Sequence, residues 1–309
     1  VKPALSVIFF TVSSGAGLGL AVWLLVAQLA GRADPSQRGF LVAAALAGLM
    51  VSAGLLSSTL HLANPRNAWR AFSRFRSSWL SREGVLAVAL YPLAALHLWL
   101  SLRGASVAPL TAAALALLCL ATVACTAMIY ACLKTVPRWR TWHTPASYLL
   151  YALAAGGLLW SAIGATWDGR APQAGAALGF AGAAALVKAA FYAKFSRRVH
   201  ATLNEALAVP LTAAPGHVQG RVRLLDAGHT HGTFLTHEFG FELARGRAGQ
   251  LRAAMFVLTL PAPLLLAGAG PAGAWAAAGC FLAGVLVERW LFFAQAEHVV
   301  RLYNGQPSV

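Results

Sequence analysis

The sequence predicts an all-α integral membrane protein, a bundle of eight transmembrane helices. Composition is the first reason. Of 309 residues, 59% are hydrophobic and 11% charged, and the mean hydropathy is +0.65. A soluble domain carries about 25% charged residues. A water-soluble globule and a disordered chain are excluded, and four cysteines are too few for a disulfide scaffold. The second reason is length. Eight apolar runs, near 5–30, 39–62, 83–102, 107–133, 144–167, 173–196, 252–268 and 272–296, match the roughly 20 residues a span needs. The third is the placement of charge. The net charge of +15 gathers between the runs rather than spreading over a surface.

The first run continues past Trp23, too far for the core of a cleavable signal peptide. The seventh is interrupted by Pro261 and Pro263, which a membrane helix tolerates when neighbours satisfy the freed carbonyls. Gly15, Gly17 and Gly19, and Gly175, Gly179 and Gly182, are expected to let helices approach closely. No internal repeat is legible. The chain therefore reads as one eight-span domain over 1–309, with a long loop at about 197–251.

The charges orient the bundle. Arg66, Arg70, Arg74, Arg76 and Arg82 follow span two, Lys134, Arg138 and Arg140 follow span four, and eight more basic residues begin at Lys194. Lys2 and Arg301 share that side, and the opposite side has only Arg32, Arg38, Arg103 and Arg170. The asymmetry places both termini and the basic loops in the cytoplasm. A basic face could also dock an acidic partner.

The stretch from His61 to Gly84 carries the clearest chemistry. His61 ends span two, and Asn64-Pro65 predicts a fresh helix start. Arg66, Arg70 and Arg74 recur every four residues, with Trp69, Phe72 and Phe75 on another face, as in a short interfacial helix. Ser81 is then expected to cap span three, leaving Glu83 in its first turn. A histidine and a glutamate at one membrane edge can hydrogen-bond a quinone and move its protons. The same glutamate is also explained by the helix dipole, and the histidine by headgroups and water.

The other histidines bear on haem. His61, His143, His200 and His298 lie near cytoplasmic span ends and His97 near the other edge, so two stacked haems lack ligands, whereas one haem does not. His217, His229, His231 and His237 read as an ordinary polar loop. Cys119, Cys125, Cys132 and Cys280 lie within spans as apolar fillers, with no Cys-x-x-Cys for an iron–sulfur cluster. Lys188, Glu288 and Arg289 are charges inside spans six and eight. Lys188 and Glu288 fall at similar depth and are expected to form a buried ion pair, as a helix clasp or part of a proton path.

The start of the chain, Lys2-Pro3-Ala4 through Phe9-Phe10 and Gly15-Ala16-Gly17, resembles the membrane anchor subunits of the dimethyl sulfoxide reductase family. Leu60-His61-Leu62, Pro65-Arg66, Ala68-Trp69-Arg70, the run from Arg76 to Gly84, and Arg221 to Asp226 resemble one branch more closely, the anchors of cytoplasmic quinone-linked sulfite dehydrogenases. The resemblance runs over most of the chain. It implies a heterotrimer with a molybdopterin catalytic subunit and a four-cluster iron–sulfur subunit, on an anchor that lacks haem and exchanges electrons with ubiquinone or menaquinone. It implies that His61 and Glu83 handle the quinone, with Arg66, Trp69, Arg70, Arg76 and Ser78 around it or at the docking surface. The five arginines on the loop after His61 point inward, whereas in the dimethyl sulfoxide reductase branch that loop faces outward. The expected function is thus a quinone-reactive anchor in the bacterial inner membrane, with no catalysis on the sulfur substrate by this chain alone. The alternatives are a quinol-oxidising anchor of the dimethyl sulfoxide reductase type, a haem b subunit, or a transporter.

Overall fold

A computed structural model describes residues 3–59, 65–169, 173–196 and 243–304. The long helices are α1 Leu5–Leu29, α2 Arg38–Thr59, α3 Trp79–Leu102, α4 Ala108–Ala131, α5 His143–Trp167 and α6 Ala174–Ser196. They are followed by α7 Leu243–Thr259, α8 Pro261–Leu266 and α9 Gly270–Ala294. Helices α7 and α8 are one span broken where Leu260 leaves helical geometry ahead of Pro261, so among the described residues eight segments can cross a membrane. The seventh span begins well before residue 252, because Leu243 to Gln250 are already helical.

Local chemistry sets the boundaries. The Ser78 hydroxyl accepts a hydrogen bond from the Ser81 amide and starts α3 at Trp79. The expected cap at Ser81 is therefore corrected to Ser78, and Glu83 falls in the second turn. Gly104, at φ 64°, turns the chain from α3 toward α4, a conformation that a side chain disfavours. Pro65–Arg74 forms a 3-10 helix rather than an α-helix. With about three residues per turn, Trp69 and Phe72 align, Phe75 follows in the turn after the helix, and the four-residue arginine spacing no longer marks a face.

Helices α1 and α5 are the axis of the bundle. In their most apolar stretches 67% and 72% of residues are buried, against 17% for α3 and for the seventh span, which lie at the outside of the bundle. The axis is held by close backbone contact. A Cβ on Gly19 would lie 1.8 Å from the Ala152 carbonyl oxygen, and one on Gly156 would lie 2.1 Å from the Gly19 carbonyl carbon. Trp23 donates its indole N–H to the Leu153 carbonyl at 2.7 Å across the same crossing. Gly17 similarly meets α2 at Ala47. In α6 the expected small-residue face is corrected. Gly175 and Gly179 have open space where a Cβ would point, and the packed face is Ala177, Ala181 and Ala184. That set repeats at four and three residues, on the opposite side of the helix.

The packing repeats although the sequence shows no repeat. Helix α1 packs on α2 and α4, and α3 packs on α4; α5 packs on α6 and α9, and α7–α8 pack on α9. The cross contacts α4 with α5 and α1 with α9 correspond as well. Two four-span halves of like orientation thus meet along α1 and α5, with α4 and α9 in equivalent places.

Candidate functional site

Glu83 is only 5% exposed, four residues into α3 and thus roughly 6 Å from its start at 1.5 Å per residue. The Thr126 hydroxyl of α4 donates a short hydrogen bond to its Oε1 and also approaches the Thr122 carbonyl at 3.1 Å. Burying a carboxylate without a partner is costly, so the threonine accounts for how an acid is held there. Thr126 carried no sequence signal beyond being a hydroxyl near the same edge.

The connection before α3 is pinned from above. Arg82 donates through Nε to the Phe75 carbonyl at 3.0 Å and through Nη2 to the Arg76 carbonyl at 2.8 Å, and its guanidinium lies 4.2 Å from the centre of the Trp79 ring. Ser78 is half-buried, whereas Arg66, Trp69, Arg70 and Arg76 are exposed. Arg70 lies 5.7 Å from the Trp69 ring centre. The structure therefore separates an outward band, Arg66 to Arg76, from the inward carboxylate of Glu83. His61 lies outside the described residues, as do His200, the loop histidines and most of the segment 197–251.

A second group of buried charges occupies the other half. Lys188 of α6 forms a close ion pair with Oε1 of Glu288 on α9, and Arg289 Nη1 lies 3.2 Å from Glu288 Oε2. All three are 4% exposed or less. Sequence reasoning brought Lys188 and Glu288 together but left Arg289 out. The Arg289 guanidinium lies 3.5 Å from the centre of the Tyr148 ring, and Lys188 Nζ lies 5.1 Å from that of Phe191, so rings cover the cations. Arg289 and Thr126 are each five residues from the end of their helices, matching positions in the two halves. Both sets of polar groups thus fall at one depth, near the edge where α1 begins.

The other described histidines are spread over the bundle, and the Nδ1 of His143 is buried without a hydrogen-bond partner among the described residues. His97 bonds Thr111 and Gln28 at 2.9 Å each. His143 stacks on Trp142 with ring centres 4.0 Å apart. His298 Nδ1 accepts from the Val300 amide at 3.0 Å. Among the described residues no cluster of three or more His, Cys, Asp or Glu could hold a metal ion. The four cysteines are free; Cys132, just beyond α4, is exposed rather than a filler.

An eight-span bundle with a buried acid at one edge and a basic, aromatic connection above it fits several membrane families. Comparison with known proteins decides among them. The family model described as DMSO reductase anchor subunit (DmsC) matches residues 2–214. The chain belongs to the DMSO reductase anchor subunit family. A sulfite dehydrogenase subunit of Allochromatium vinosum is 33% identical over 330 aligned positions, covering 98% of each chain. That relative extends the likeness of this anchor-family member through the seventh and eighth spans, where Glu288 and Arg289 lie.

Proposed function

We propose that this chain is the quinone-reactive anchor of a molybdenum and iron–sulfur oxidoreductase that oxidises sulfite in the cytoplasm and reduces quinone in the inner membrane. End-to-end similarity to a sulfite dehydrogenase subunit carries the reading. The basic edge then faces the cytoplasm, where an iron–sulfur subunit docks on the Arg66–Arg76 band and a molybdopterin subunit lies beyond it. Quinone approaches the edge at His61 and Glu83. His61 hydrogen-bonds one quinone oxygen, and Glu83 passes a proton as two electrons arrive from the partner's nearest cluster. Arg66, Trp69, Arg70, Arg76 and Ser78 shape the docking surface and the mouth of the site. The buried, hydrogen-bonded state of Glu83 supports this role, because a shielded carboxylate exchanges protons with a ligand rather than with bulk water.

The test is quinone kinetics in the assembled complex. His61→Ala and Glu83→Gln are expected to preserve assembly and lower quinone-linked turnover by roughly 100-fold, within the range for losing a general acid or base. Wild-type quinone kinetics in both variants would overturn the quinone site. The family match also supports a second reading, an anchor that oxidises quinol for a reductase of the dimethyl sulfoxide type. A complex that oxidises quinol with dimethyl sulfoxide as acceptor and leaves sulfite untouched would establish it.

A further inference from the structure

A small cavity lies where the two halves meet. It is lined by Thr11 and Ser14 of α1, Thr126 of α4, Tyr148 and Tyr151 of α5, and Arg289 of α9, among apolar neighbours. Its volume of about 20 Å³ admits one water molecule. Its walls are prepared for one. The hydroxyls of Tyr148 and Tyr151, 4% and 2% exposed residues, meet no hydrogen-bond partner among the described residues. The Ser14 and Thr11 hydroxyls already donate to the Phe10 and Ile8 carbonyls at 2.6 and 3.0 Å, so their lone pairs remain to accept. Thr126, which lines the cavity, bonds Glu83, and Arg289, which also lines it, pairs with Glu288, itself paired with Lys188.

Four buried charges flank this cavity and balance in a particular way; Arg82, Arg138 and Arg252, which are half-buried at the same edge, and the exposed Lys194 stay outside the sum because water reaches them. Lys188, Glu288 and Arg289 together carry one excess positive charge, and an ionised Glu83 carries the matching negative one. The layer is also neutral when Lys188 has lost its proton and Glu83 has gained it. Every other protonation state of these four groups, apart from ones that neutralise Glu288 or Arg289, leaves a net charge in a membrane interior, which is the expensive arrangement. We infer that one mobile proton is shared between Lys188 and Glu83 through water in this cavity, so that the two halves of the bundle form a single proton relay.

In the relay Lys188 gives a proton to Oε1 of Glu288 as its own N–H bond breaks. Glu288 then releases a proton to a tyrosine hydroxyl, that hydroxyl gives its own proton to the cavity water, and the water gives one to Thr126, whose hydroxyl proton passes to Glu83 as the new one arrives. Arg289 keeps its proton throughout and orients the water. The relay rests on the proposed quinone role for its final acceptor. There, a quinone takes two electrons from the iron–sulfur partner and two protons by way of Glu83, and each proton leaving Glu83 is replaced from Lys188, which reloads from the cytoplasmic side. A docked partner that shields the His61–Glu83 edge from bulk water makes this second entry useful.

Infrared spectroscopy of the purified complex tests the sharing directly. The protonated carboxyl stretch of Glu83 is identified by its loss in Glu83→Gln. In Lys188→Met the protonated acid is the neutral state, so the band is expected to grow at neutral pH relative to wild type. Equal bands in the two proteins would overturn the shared proton. A second variant covers the case in which Lys188→Met does not fold. Tyr148→Phe with Tyr151→Phe removes both hydroxyls and keeps both rings. It is expected to lower quinone-reduction kcat roughly tenfold and raise its solvent deuterium isotope effect, with the KM for a short-tailed ubiquinone analogue unchanged. Unchanged kcat and isotope effect there, beside slow turnover in Glu83→Gln, would overturn the relay and leave the quinone site standing. Normal turnover in Glu83→Gln would instead remove the quinone site, and the infrared bands would still decide the sharing.

Discussion

The Thr126 hydroxyl on α4 holds the Glu83 carboxylate of α3 by a short, buried hydrogen bond. This one contact turns the acid away from the exposed arginine band and into the bundle. It also fixes α3, a largely exposed helix, against α4. Thr126→Val keeps the shape and removes the donor. It is expected to destabilise the chain by about 1–3 kcal/mol, the cost of an unsatisfied buried acceptor, unless Glu83 takes up a proton. Thr126→Ser is expected to restore most of the loss. Thermal unfolding of the two variants in detergent compares them.

The buried triad predicts an asymmetry. Glu288→Gln leaves Lys188 and Arg289 as two uncompensated cations, whereas Lys188→Met leaves a neutral Glu288–Arg289 pair. Breaking a buried pair by removing one partner costs about 3–5 kcal/mol. Glu288→Gln is therefore expected to fall at the upper end or abolish folding, and Lys188→Met to be clearly milder. Yields of folded protein after size-exclusion chromatography rank them. Equal loss in both would show that Arg289 does not take part.

The crossing of α1 and α5 predicts which glycines matter. Gly19→Ala or Gly156→Ala places a methyl group inside the opposing backbone and forces the two central helices apart. Loss of the folded protein is expected from either. Gly179→Ala meets open space and gains about 0.8–1 kcal/mol of helix propensity, so it is expected to be neutral or slightly stabilising. A detergent thermal-shift series on the three variants measures the contrast.

The exposed band predicts a salt-sensitive dock. Charge reversal at Arg66, Arg70 and Arg74 leaves the bundle untouched, since these side chains are exposed. Retention of the iron–sulfur partner during purification is expected to fall, more steeply as ionic strength rises. Unchanged retention at all salt concentrations would place the dock elsewhere.

Much of this fold was legible because membrane spans are written in composition. Runs of about 20 apolar residues, the Pro261 break and the basic loops are each local signals. What local signals could not carry was pairing between distant segments. The cap at Ser78 rather than Ser81 shifts the start of α3 by a few residues, and such boundaries depend on which hydroxyl meets the free amides. The face of α6 that packs, Ala177 to Ala184, and the face with Gly175 and Gly179 are both small, so composition alone did not choose between them. Lys188 and Glu288 were legible as a pair because charges in a membrane seek partners at equal depth. Arg289, Thr126 and Tyr148 were not, because their roles depend on how α4 and α9 come to equivalent places about α1 and α5. The family resemblance read from Arg76 to Gly84 agrees with the match over residues 2–214.

Isolation of this chain from its native membrane in mild detergent, with identification of what accompanies it and assay of molybdenum and iron, shows whether it anchors a molybdenum and iron–sulfur complex. Two partner subunits, one rich in iron and one bearing molybdenum, are expected to be retained with the anchor. A chain that purifies alone and free of both metals would contradict that role.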